Sequence, residues 1–248
     1  MKRRQLLKFG LAGGAAGAAS LFLPVTSRQA HAYHYGYGSS GGGMGGITGA
    51  ASPPLTPFQV PLPIPPLAVP YQSTANADYY RIEMRANQLA IFPGYPPTTV
   101  WGYEGMVPGP TFRVRAGRQA YVTQVNNLTN VSHQDGTPVR TTVHQHGGRV
   151  AAIHDGHPNS LIEPGTAYEY FYPNTQDAAT LWYHDHQAQS TAENVYMGLA
   201  GFYIVEDDVE LGLNLPRGEY EVPLAIMDRL FRSDGSLNYP PLNQNSLQ

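Results

Sequence analysis

The chain runs to 248 residues, 42% hydrophobic, 11% aromatic and only 13% charged, enough for one packed domain plus a remainder and too uncharged for long surface helices. Cysteine is absent, which excludes disulfides, cysteine-ligated zinc, iron–sulfur clusters, thiol catalysis and a thiolate-ligated blue-copper centre within these residues. A formal charge of −3 offers no basic surface to nucleic acid, so nucleic acid is not an expected partner.

In chain order, residues 1–32 read as a twin-arginine-type signal peptide. Lys2-Arg3-Arg4 precedes an apolar stretch, 9–23, that is shorter than the ~20 residues of a bilayer span and so serves export without acting as a membrane anchor. The run Arg3-Arg4-Gln5-Leu6-Leu7-Lys8 fits the address used for proteins exported already folded. Cleavage after Ala30-His31-Ala32 would remove five of the fifteen basic residues and no acid, leaving ten arginines against eighteen acids, a balance of −8. The expected location is therefore the periplasm or the extracellular space.

Residues 33–72 read as a linker, Gly/Ser-rich over 36–49 and Pro-rich over 53–70. The first half is expected to be a flexible, disordered tether. The second is an extended strap that Phe58, Val60, Ile64 and Leu67 could lay over the domain. From there to Asp208 short β-branched and aromatic runs alternate with turn residues, the signature of an all-β sandwich. Strands are expected at 79–85, 98–103, 111–115, 119–126, 141–146, 167–172, 180–184 and 200–205, with a helical turn or two inside 188–197. Pro108-Gly109-Pro110, Asp135-Gly136, Asp155-Gly156 and Pro164-Gly165 punctuate them. Beyond the domain at 73–208, residues 209–248 read as a linker and the start of an incomplete second domain, with a further strand at 221–227 and an Asp234-Gly235 turn.

The informative feature is a two-residue histidine step that occurs twice, His144-Gln145-His146 and His184-Asp185-His186. On a strand, residues i and i+2 share a face, so each step presents two imidazoles side by side. Four converging neutral imidazoles suit copper, zinc, nickel or iron, with copper or zinc leading where no thiolate is available. The competing interpretation is four ordinary hydrogen-bonded histidines. His133, His154 and His157 fall in loops and read as structural or solvent-facing, Trp182 and Tyr183 as packing around the site, and Met197 as core.

Thr141-Thr142-Val143-His144-Gln145-His146-Gly147-Gly148 and Leu181-Trp182-Tyr183-His184-Asp185-His186, followed by Gly198-Leu199-Ala200-Gly201-Phe202-Tyr203-Ile204-Val205, resemble the first cupredoxin domain of the multicopper oxidases. The branch that includes spore-coat laccase, bilirubin oxidase and phenoxazinone synthase is the most similar in form. Pro108-Gly109-Pro110-Thr111-Phe112 and Asp228-Arg229 to Asp234-Gly235-Ser236-Leu237 add to the match, which runs from about Asp78 to Tyr239. The resemblance implies a Greek-key, cupredoxin-like β-sandwich. It implies copper as cofactor, with His144 on the type-2 ion and His146, His184 and His186 on the binuclear type-3 pair, His146 and His184 sharing one ion. It gives Asp155 the role of an acid near the cluster that assists proton delivery to dioxygen. Read from the residues alone, Asp155 serves equally as a turn aspartate.

In that family electrons enter at a cysteine-ligated copper in a C-terminal His-Cys-His segment, and these 248 residues contain no Cys. The expected function is thus the N-terminal portion of a laccase-like oxidase, carrying half of the type-2/type-3 ligands and inactive until C-terminal cupredoxin domains complete it. The alternatives are a free-standing exported protein that binds or hands on copper without turnover, and a structural domain with vestigial histidines. The face carrying His144 and His184 is expected to be an incomplete interface with an exposed apolar patch.

Overall fold

The computed structural model describes residues 52–54 and 56–239. The expected signal peptide and the Gly/Ser-rich stretch lie outside the described residues. Among the described residues nine strands form two sheets: β1 (Gln72–Ser73), β2 (Ala77–Leu89), β3 (Thr98–Tyr103), β5 (Gln119–Asn126) and β7 (Ala167–Tyr172) in one, and β4 (Gly109–Arg115), β6 (Val143–His146), β8 (Ala179–Asp185) and β9 (Ala200–Glu206) in the other. The first sheet runs β1-β2-β5-β7 with β3 also on β2, and the second runs β4-β9-β8-β6. Both are mixed, with parallel pairs at β2/β5 and β4/β9.

Strand alternation builds the core between the sheets. In β5 the residues Ala120, Val122, Gln124 and Asn126 are buried while Gln119, Tyr121, Thr123 and Val125 are half-buried, the period of two that a one-sided sheet demands. Tyr80, Ile82, Met84, Val122, Tyr170 and Tyr172 of the first sheet meet Phe112, Val143, Tyr183 and Tyr203 of the second in one cluster. Tyrosine carries much of it. Burial pushes the hydroxyls of Tyr103, Tyr172 and Tyr183 far up and keeps them neutral.

β2 extends well beyond the expected 79–85 because, besides its short pairing with β1, it pairs with β5 over 77–84 and with β3 over 84–89. The helical turn inside 188–197 forms as Thr191–Met197 and stops at Gly198, whose φ is 130°. Two expectations fail here. Residues 221–227 form no strand, because strand propensity is realised only against a neighbouring strand, and none lies alongside among the described residues. Val222, Leu224 and Ile226 stay exposed there. The Pro-rich strap does lie on the domain, but its backbone holds it: Thr111 N donates to Pro66 O at 2.8 Å and Ala68 N to Thr111 O at 2.9 Å. Phe58, Val60, Ile64 and Leu67, the expected anchors, are all exposed.

Arg118 fastens the turn between β1 and β2 to the start of β5. Its Nε and Nη2 reach the two Asp78 carboxylate oxygens at 2.6 Å each, and the guanidinium also donates to the Thr74 and Ala75 carbonyls at 3.0 Å. This holds the Asp78 carboxyl below its ordinary value of 3.8. A carboxyl held low contributes its stability above the unfolded-state pKa and loses it as pH falls through the folded-state pKa. Asp78→Asn is expected to cost about 1 kcal/mol at neutral pH for this bidentate, partly exposed pair. Urea unfolding should show the gap between the two chains closing in acid.

Candidate metal centre

Strands β6 and β8 run antiparallel with His144 opposite His184, His146 opposite Trp182 and Val143 opposite Asp185. Because side chains alternate, this register puts His144, His146, Trp182 and His184 on one face and sends Val143, Gln145, Tyr183 and Asp185 into the buried side. His186 follows the strand end, where its N–H donates to Thr142 O at 2.9 Å and keeps it in step with the pair. All four histidines named from the sequence therefore converge. His144 lies 5.3, 5.5 and 5.1 Å, ring centre to ring centre, from His146, His184 and His186, and His184 lies 5.5 Å from His146 and 5.8 Å from His186.

The rings are held from behind. Nδ1 of His144 donates to the Asp155 carbonyl at 2.6 Å and Nδ1 of His184 to the Asp185 carbonyl at 2.6 Å, which fixes the tautomers and leaves Nε2 of each unprotonated, with a lone pair able to coordinate a metal. His146 Nδ1 and His184 Nε2 are 3.3 Å apart, and one nitrogen from each of His144, His146 and His184 falls within 4.8 Å of the others. His186 Nδ1 is buried without a hydrogen-bond partner among the described residues. Burial lowers the His184 pKa to about 4, and burial together with the neighbouring His144 lowers that of His186. Both stay neutral at pH 7, the state in which imidazole binds a metal. An orphaned buried nitrogen, unprotonated Nε2 atoms and an all-imidazole ligand set fit copper or zinc.

Trp182, expected to be packing, covers the site's flank: its ring stacks on His184 at 4.1 Å and on His146 at 5.1 Å. Asp155 ends a single 3-10 turn, Ala152–His154. Its Oδ1 is 3.2 Å from His144 Nδ1 and its carboxylate is half-exposed, so it touches His144 on the side away from Nε2. Gly156 makes this possible. It sits at φ 70°, and a Cβ there would fall 2.3 Å from Val143 O and 2.7 Å from His144 N. His133, His154 and His157 do not join the cluster, and Met197 is partly buried against the core.

Two features differ from expectation or were missed. Large apolar exposure is concentrated on the strap and on 209–230, for example Leu62, Val69, Leu213, Leu224 and Ile226, while Trp182 is the one such residue stacked on the histidines. The apolar patch expected beside the histidines is thus carried mostly by other segments, because the site itself is built of imidazole. The missed residue is Asp185, fully buried between two site histidines. It accepts from Thr142 N, Gln187 N and Asn194 Nδ2 at 3.0, 3.0 and 2.9 Å, yet desolvation outweighs these bonds and raises its carboxyl to about 6. A charged residue placed by alternation on a core-facing position was the available signal.

Comparison with known proteins places this geometry in context. A family model described as multicopper oxidase matches residues 86–210. A laccase of Bacillus stratosphericus is 40% identical over 77% of this chain and 41% of its own length, and a bilirubin oxidase of Albifimbria verrucaria is 38% identical over 75% of this chain and 32% of its own. The crystal structure of a laccase from Pediococcus acidilactici superimposes with a TM-score of 0.67 and 31% identity, covering 76% of this chain and 39% of that one. The chain thus spans about a third to two fifths of the length of these relatives, and its sandwich is cupredoxin-like, as expected.

Proposed function

The chain belongs to the multicopper oxidase family, and we propose that it supplies the first-domain half of the family's copper cluster in a laccase-like enzyme. The family implies copper as cofactor and dioxygen as co-substrate. Copper bound here supplies the one-electron chemistry that couples oxidation of a reducing substrate to reduction of dioxygen to water. The protein's own part is to hold, orient and desolvate the ligands.

His144, fixed by the Asp155 carbonyl, is the type-2 ligand. His146 and His184, whose facing nitrogens are 3.3 Å apart, share one type-3 ion, and His186 holds the other. Asp155 is the acid through which protons approach: its exposed carboxylate faces solvent on one side and His144 on the other. C-terminal cupredoxin domains supply the remaining ligands and a cysteine-ligated entry point for electrons. Export by the twin-arginine route to the periplasm or beyond completes the reading, supported by Arg3-Arg4 and by Ala30-His31-Ala32. A second reading, copper hand-over without turnover, is favoured by the exposure of His146. It uses the same ligands and predicts no oxygen uptake with a phenolic reductant, even when completing domains are added.

The observation that carries the proposal is the convergence of four imidazoles, with Nε2 of His144 and of His184 unprotonated and Nδ1 of His186 without a hydrogen-bond partner among the described residues. Copper content after dialysis at neutral pH, read with spin resonance on the chain and on His144→Ala, tests it. The parent is expected to retain copper with a type-2 signal, and the variant to lose that signal. A type-2 signal that survives the substitution removes His144 from this role, and a parent that retains no copper removes the proposal.

A further inference from the structure

We propose that Asn194, on the helix Thr191–Met197, is the positioning residue for the histidine tetrad, acting through Asp185 on the two strand ends that carry the rings. The proposal rests on the copper reading of the site for its consequence, while its geometry stands apart from it.

Asp185 ties together backbone on both sides of the cluster. One carboxylate oxygen accepts from Thr142 N, two residues before His144, and the other from Gln187 N, the residue after His186. Thr142 O in turn accepts from His186 N. Shifting this carboxylate therefore shifts the spacing between the first and second histidine pairs. What holds the carboxylate from below is Asn194, which has no solvent exposure. Its Nδ2 donates to Asp185 Oδ2 at 2.9 Å and to the Arg140 carbonyl at 3.1 Å. Both partners are acceptors, so the amide orientation is fixed by chemistry and Oδ1 must face His133.

There Oδ1 lies 2.9 Å from His133 Nε2, which must therefore carry the proton. His133 Nδ1 sits 3.1 Å from Thr137 Oγ1, and Thr137 is itself bonded to Asp135. The imidazole is wedged edge-on to Trp101 at 5.7 Å. A buried carboxylate, amide and imidazole thus run in line from the strand ends to the loop at 133–137. Buried networks of this kind rigidify what they touch. Residues that orient metal ligands from behind commonly change metal affinity by 10–100-fold when removed. His133 in this arrangement is neither a spare ligand nor a solvent histidine but the brace for Asn194.

The test uses the full 248-residue chain and two variants, Asn194→Ala and the milder His133→Leu, each also made with Asp185→Asn. In the metal-free state, the ring nitrogen and proton resonances of His184 and His186 are expected to shift in Asn194→Ala, and in the same direction but less in His133→Leu. Cupric ion affinity is expected to fall 10–100-fold per folded molecule in Asn194→Ala, with altered copper hyperfine splitting. If Asn194 acts through Asp185, adding Asn194→Ala to Asp185→Asn should weaken affinity little further. A merely structural role would lower the urea midpoint and leave the ring resonances and the affinity of the folded fraction in place, and that result overturns the proposal, as do fully additive effects. Should Asn194→Ala not fold, unshifted resonances in His133→Leu overturn it. A parent chain that binds no copper overturns the reading of the site, while the metal-free resonances still decide the role of Asn194.

Discussion

Gly156→Ala is expected to destabilise the chain by about 2–5 kcal/mol and to free His144 from its anchor. Two costs combine. An alanine at φ 70° incurs roughly 1–2 kcal/mol of left-handed backbone strain. The new methyl group would also sit 2.3 Å from Val143 O and 2.7 Å from His144 N. These are backbone atoms of β6, with no flexible side chain to move aside, and such overpacking adds roughly 1–3 kcal/mol. The loop can relieve the clash only by lifting, and lifting it withdraws the Asp155 carbonyl from His144 Nδ1. Gly165→Ala is the matched control: its φ is 83°, but its nearest neighbour would be Thr129 Cγ2 at 3.9 Å, so it carries the strain without the clash. Urea unfolding of both variants, with the His144 ring resonances, reads the difference. Equal stability of the two variants would remove the close approach of Gly156 as the device that seats Asp155 behind His144.

That loop shows where sequence reading stops. Period-two alternation made each histidine pair legible as two rings on one face, since it depends only on the local backbone of β6 and β8. The register His144 opposite His184 is a non-local pairing between strands 40 residues apart, and no periodicity encodes it; the resemblance to a family supplied the expectation that the pairs meet. Asp155 was named from that resemblance with a turn residue as the equal alternative, and the structure has it at a turn end and against His144 at once. Asn194 and His133 carried no legible signal, because their roles arise only when a helix packs under the end of β8. The failed strand at 221–227 is the converse case. Its β-propensity is plain in the sequence, but propensity without a neighbour leaves an extended segment with exposed Val222, Leu224 and Ile226. The strap errs in the same way: apolar side chains suggested anchors, whereas backbone hydrogen bonds at Pro66 and Ala68 do the holding.

Copper should also act as a stabilising ligand of the folded chain, and this separates a convergent site from scattered histidines. An ion that binds only the native state adds stability with the logarithm of its concentration, about 2.7 kcal/mol at a hundredfold excess over Kd. For a chain of this size that is roughly 5–10 °C in thermal midpoint. The unfolded chain offers nine histidines of its own, which reduces the effect without cancelling it, since only folding brings four rings within 5.1–5.8 Å of their neighbours. The double variant His144→Ala/His184→Ala keeps seven of the nine histidines and both unfolded chains bind copper about equally, so the copper-induced shift isolates the native site. Removing His184, which is buried, alters metal-free stability as well, so the comparison is between shifts and not between absolute midpoints. The parent is expected to gain several degrees with cupric ion and to lose them again with a chelator, and the double variant to gain almost nothing. Equal shifts in the two chains would mean that copper meets histidines anywhere along the polypeptide, and the strand register that faces His144 to His184 would then have no metal to explain it.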